Sequence, residues 1–174
     1  YYMQTEGVIK KQMKTVCTTE EESMKLDEKI KKEKCIYVDI INQINNPNAR
    51  KIKYKDVRKI NIGLSKKDLV SYRITKKGAF YNCIVLIIRL CLNDNFKDFH
   101  IKVFNTGKLE IPGIQTDETL FYLLDKLVEI LQPFYEDTIY WKKEDIETVL
   151  INSNFTSGFY IDRDKFYHIL KFKY

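Results

Sequence analysis

Phe104, Thr106 and Lys108 crowd the stretch VFNTGKLEIPG (103–113): an aromatic ring, a hydroxyl and an ammonium within five positions of one turn. Side chains of these types stack on flat apolar partners and neutralise anions; they do not by themselves make or break bonds. The turn Asn105-Thr106-Gly107-Lys108 lacks the spacing and the following Ser or Thr of a phosphate-binding loop, so its lysine has no backbone cradle. Covalent chemistry finds little elsewhere. No nucleophile–base pair or carboxylate dyad stands out, and His100 and His168 lie 68 positions apart. Cys17, Cys35, Cys83 and Cys91 form no C-x-x-C pair, so neither a tetrahedral metal site nor a cofactor is expected. Cys83 and Cys91 stand eight apart on an expected strand and share a face, which suits buried, reduced thiols. No enzyme and no small-molecule substrate are expected.

Bulk properties bound the rest. At 174 residues the chain holds one domain with a real core or two very small ones. Apolar content of 44% and a mean hydropathy of −0.37 are those of a globular protein. The net charge of +6 and pI near 9.0 favour a polyanionic partner, although a solubilising charge looks the same. No apolar run approaches the ~20 residues of a membrane span, and no signal-peptide pattern opens the chain. A soluble, intracellular protein is expected.

The elements that must position the turn follow from periodicity. Residues 1 to about 34 read as a charged helical extension, with Ile9, Met13 and Val16 at helical spacing. Thr18 or Thr19 offers an N-cap, with Glu21 or Glu22 three residues on, so a second helix starts there. CIYVDIINQI (35–44) fits a helix or a strand, and NNPNARK breaks the chain. From about residue 52 strands dominate. IKYKDVRKINIG is one, LSKKDLVSY a short helix capped by Ser65, and FYNCIVLIIRLCL a long central strand. NDNFKD turns the chain, FHIKVF is another strand, and NTGK is a hairpin turn into LEI, with Asn105 or Gly107 supplying a positive φ.

TDETLFYLLDKLVEILQP is the strongest helix. Acids occupy its first turn, Leu120, Leu123, Leu124, Leu127, Ile130 and Leu131 form one broad apolar face, and Pro133 ends it. The result is an α+β layer, an antiparallel sheet covered by helices on one face. Along the turn strands, Phe104, Thr106, Lys108, Glu110 and Pro112 share one face and Leu109 and Ile111 the other, natural partners of the helix.

FHIKVFNTGKLEIPGIQTDETLFYLLDKLVEIL resembles one repeat of the TATA-box-binding protein family, in which a strand ending Phe-Ser-Ser-Gly-Lys precedes a second strand and a long, acidic-starting helix. KINIG (59–63) is similar to the opening of such a repeat, and ETVLINSNFTSGFYIDRDKFYHIL to the opening strand and short helix of the next. Asn61 and Asn152 or Asn154 stand about ninety positions apart, near the family's repeat length. The wording is closest to divergent members carried by large DNA viruses. The likeness covers about 98–132 and 147–170, is poor over 64–97 and absent from 1–50. It implies a charged extension at 1–50, a first saddle repeat at 51–134 and, from 135–174, a linker and the incomplete start of a second.

The resemblance further implies a curved sheet whose concave side lies in a widened minor groove of AT-rich promoter DNA. Partners would be initiation factors or RNA polymerase, located in the nucleus or a viral factory, or packaged in a virion. Phe104 corresponds to a wedge between base steps, Lys108 and Arg89 to phosphate contacts, and Asn61 with Asn154 or Asn152 to central amides. Thr106 falls within the same contacting turn. The second wedge should open the long strand; ungapped register puts Cys83 there, Phe80 and Tyr81 are the nearest aromatics, and Phe80 is chosen. These types suit the task. A wedge must be flat and apolar to replace stacking that costs roughly a few kcal/mol per step. Neutral amides match the acceptors of A·T pairs, and rim cations make binding salt-dependent.

Two departures set a second expectation. Glu110 and Pro112 fall where the family presents small apolar groups or threonine, and a carboxylate repels phosphate-rich DNA. A protein-interaction module of a transcription complex that keeps the fold without bending DNA is therefore the alternative.

Overall fold

The computed structural model describes residues 5–70, 80–154, 156 and 158–173. The chain forms two compact units, Tyr1–Leu127 and Val128–Tyr174. The first holds a curved, unclosed antiparallel sheet of six strands: β1 (Gly7–Cys17), β2 (Ile36–Asn45), β3 (Tyr54–Gly63), β4 (Cys83–Leu92), β5 (Asn95–Phe104) and β6 (Leu109–Glu110), in the spatial order β2-β3-β1-β4-β5-β6. Helix α1 (Glu20–Lys32) joins β1 to β2, α2 (Lys66–Val70) follows β3, and α3 (Asp117–Leu131) follows β6.

Local chemistry explains most of these boundaries. Thr19 accepts from the Glu22 amide at 3.2 Å, and the Glu22 carboxylate reaches back to the Thr18 and Thr19 amides at 2.7 and 3.4 Å. This capping box starts α1 where its spacing predicts. β4 is a nearly continuous apolar run with Leu86, Ile87, Ile88 and Leu90 buried, so side chains of both its faces are covered. Its hairpin to β5 turns on Asn93 and Asp94 alone, at φ 48° and 62°, a two-residue turn tighter than the sequence suggests. The NTGK turn needs Gly107 at φ +83°. Its amide donates to the Phe104 carbonyl at 3.0 Å, and the Phe104 amide to the Lys108 carbonyl at 2.9 Å.

The expectation of a helical extension over residues 1–50 is corrected. Among the described residues of this stretch only α1 is helical; β1 and β2 are strands of the sheet, and β1 sits at its centre, between β3 and β4. The spacing of Ile9, Met13 and Val16 mimics a helix because β1 carries lysines on both faces and its register shifts between Val8 and Lys10, so no apolar alternation shows. The β-branched pairs Val8-Ile9 and Thr15-Val16 decide for extended backbone. The ambiguous segment at 35–44 is likewise a strand.

Register defines two faces. Ile88 pairs with Phe99 and Leu86 with Ile101; these residues, with Leu90 and Ile60, form the buried core face. Leu123, Leu124 and Leu127, buried along one side of α3, belong to the same unit. On the opposite, aromatic face one row crosses all six strands: Tyr37, Asn61, Gln12, Val85, Lys102 and Glu110. The next row pairs Asp39 with Lys59 and Lys59 with Lys14, while Cys83 pairs with Phe104. α1 is tied to the core face through Ser23 and Asp27. α2 is tied to the aromatic face, where Asp68 holds Lys10 at 2.7 Å. Helices therefore touch both faces.

In the second unit, 3₁₀ turns span Gln132–Phe134 and Lys143–Asp145, and α4 (Arg163–Lys173) is N-capped by Asp162, whose carboxylate accepts from the Asp164 and Lys165 amides at 3.2 and 3.1 Å. The strand expected across 148–154 does not form; these residues are exposed and carry no regular structure.

Candidate functional site

One end of the aromatic face gathers rings and ammonium groups. The rings of Phe80 and Phe104 lie 6.5 Å apart, tilted by 58°. The Lys102 ammonium stands 5.1 Å from the centre of the Phe80 ring, and that of Lys14 lies 3.5 Å over the Tyr81 ring. Phe80 and Tyr81 are exposed just ahead of β4, whereas Phe104 is half-buried at the end of β5. The phenyl rings thus stand beside cations held by weak quadrupole attraction, roughly 0.5–1 kcal/mol at exposed positions. The Lys14 ammonium, held over a ring, can exchange that ring for an anion.

Of the residues singled out in sequence, Asn61, Phe80, Arg89 and Phe104 share this side of the sheet; their fitness for contact differs. Arg89 is only 2% exposed, and its guanidinium grips Asp98 at 2.8 and 3.2 Å. A phosphate could reach it only by displacing that carboxylate, so Arg89 serves the β4–β5 pairing rather than a rim. Asn61 is 7% exposed. Its amide nitrogen donates weakly to the Tyr37 carbonyl at 3.5 Å, and its Oδ1 has no partner among the described residues. Thr106 and Lys108 are exposed in the β5–β6 turn. Asn152 and Asn154 are exposed in the second unit, outside any strand.

Glu110 lies on the aromatic face, as its spacing predicts, and takes Lys102 at 2.5 Å. The carboxylate that threatened to repel an anion is thus partly neutralised, at the expense of one available cation. Such a pair, half in solvent, contributes about 0–1 kcal/mol.

Gln12, Lys14 and Lys102 were missed in sequence, and Tyr81 was passed over in favour of Phe80. Gln12 stands in register between Asn61 and Val85, so two neutral amides sit side by side at the middle of the sheet. The missing signal was β1 itself. Read as a strand, its period of two lines up Lys10, Gln12 and Lys14 on one face.

Among the described residues no group of three or more His, Cys, Asp or Glu is arranged to hold a metal ion, and no helix is long and apolar enough to cross a membrane. All four cysteines are free, Cys17 and Cys83 buried but Cys35 exposed. No protein-family model, no curated protein and no solved structure matches this chain.

Proposed function

We propose that this chain binds double-stranded DNA across the aromatic face of its sheet, as a saddle-repeat factor similar to the TATA-box-binding protein that bends AT-rich promoter DNA for transcription initiation. The observation that carries it is the Phe80–Phe104 pair, flanked by Lys14 and Lys102, on the side of the sheet opposite the core. Flat apolar rings at one end can enter a base step, and the neutral Gln12–Asn61 amides at the centre suit A·T acceptors. Lysines beside them neutralise phosphates. The net charge of +6 favours the encounter. Initiation factors or a polymerase would then meet the chain away from this face.

The alternative, an interaction module that no longer bends DNA, gains from two ion pairs. Arg89–Asp98 and Lys102–Glu110 already occupy two cations that phosphates would otherwise use. A fluorescence bending assay on AT-rich duplex separates the two. Bending with affinity that falls steeply as salt rises supports the first; no bend and no salt-sensitive binding at low salt rejects it.

A further inference from the structure

We infer that β2 is a self-complementary docking edge through which two copies of this chain join their sheets about a two-fold axis. β2 ends the sheet, and among the described residues nothing pairs with its outer side over ten residues. Tyr37, Ile40 and Ile41 along it are 51%, 52% and 42% exposed. Strand edges of this length are ordinarily defended by lysines, prolines, bulges or brevity, and β2 carries a bulge alone. The opposite end of the sheet is defended in that way, by a two-residue β6 with Pro112 two positions beyond it. β2 carries no lysine, arginine or proline, in a chain with 30 Lys and Arg.

The irregularity in β2 points to the occupant. Its pairing with β3 shifts between Ile40 and Asn42, leaving Ile41 as an extra residue. Tyr37 and Asp39 face the aromatic side before the shift, and Asn42 and Ile44 face it after; Ile36 and Val38 face the core side before, Gln43 and Asn45 after. Antiparallel partners must share a face. Without the bulge, full-length self-pairing of ten residues would oppose faces; with it, every pair matches. Tyr37 then meets the partner's Ile44, Val38 meets Gln43, Asp39 meets Asn42, and Ile40 meets Ile41. No like charges oppose, and the exposed apolar residues cover one another. A foreign strand has no need of this symmetry, so the geometry selects a second copy, and the two aromatic faces become one continuous surface.

Sedimentation equilibrium on the full chain tests it, because Asp39 and Asn42 oppose twice across the axis. The mass should rise with concentration from 20.8 kDa toward twice that value and no further. Asn42→Asp should raise the dissociation constant roughly tenfold or more, by setting carboxylates against Asp39 at both positions. Asn42→Lys should lower it. Circular dichroism verifies that both exposed substitutions leave the fold intact. A chain that stays at one mass at every concentration, a dimer indifferent to Asn42→Asp, or growth beyond two copies would overturn the inference.

Discussion

The core face and the ring-bearing end of the aromatic face handle charge in opposite ways. On the core face Asp56 is fully buried, accepts from the Ser23 hydroxyl at 2.8 Å and from Arg58 Nε at 2.8 Å, and Arg58 extends to Asp27 of α1. This cluster clips α1 onto β3 and leaves no exchangeable cation. On the aromatic face Lys14 and Lys102 rest on rings or on a half-exposed carboxylate. Desolvated pairs fasten a helix, whereas loosely held cations beside exposed rings are available to a ligand. Substitutions should therefore separate stability from binding according to the face they strike.

The largest stability effect belongs to the core face. Asp56→Ala leaves Arg58 buried with one of its two carboxylates gone and should lower the unfolding free energy by about 3–5 kcal/mol in urea titration; a loss under ~1 kcal/mol would dissolve the contrast. Gly63→Ala comes next. Gly63 ends β3 at φ +84°, and an added Cβ would meet the Ile9 carbonyl oxygen at 2.2 Å, so β3 and the bulged start of β1 must part. A loss of about 1–3 kcal/mol is expected.

Acid offers a graded probe of the same cluster. Burial pushes the Asp56 carboxyl up, but hydrogen bonds from Arg58 and Ser23 outweigh it and hold the group below its ordinary value. A carboxyl lowered on folding contributes stability that is complete above the ordinary carboxylate range and is lost as pH falls through the lowered folded value. Stability should decline as pH falls below the ordinary aspartate range, less steeply in Asp56→Ala. An identical slope in the variant would place the acid sensitivity elsewhere.

How far the sequence foretold these faces depends on the range of the interactions. Local signals were legible: the Thr19 cap, the NTGK turn with its positive-φ glycine, and the α3 stripe from Leu120 to Leu131 all act within a few residues. Also legible was the shared face of Phe104 and Glu110, which needs only the period of two. β1 was not, because its identity as a strand rests on pairing with residues some fifty and eighty positions away, while lysines on both faces and a register shift blur its own alternation. Losing β1 meant losing Gln12 and Lys14. Arg89 shows the same limit at shorter range: only the register of the β4–β5 hairpin reveals that Asp98 already holds it.

Substitutions on the aromatic face should have small effects on folding and large ones on binding. Phe104→Ala removes a half-buried ring and its contact with Phe80, costing about 1–2 kcal/mol of stability. It should weaken bending more than nonspecific binding in the fluorescence assay, and an equal loss of both would count against a wedge. The smallest stability change is expected of Glu110→Gln, within about 1 kcal/mol. Freeing Lys102 should nonetheless raise DNA affinity and steepen its salt dependence by about one counterion; an unchanged salt slope would show that Lys102 makes no phosphate contact.

Backbone-amide NMR during titration of the full chain with a short AT-rich duplex at low salt tests the division of the sheet most directly. Shifts concentrated at Gln12, Lys14, Phe80, Tyr81, Lys102 and Phe104, with α1 and Asp56 unmoved, are the expected result. Shifts centred on α1, or none at all, would contradict the assignment of the aromatic face to DNA.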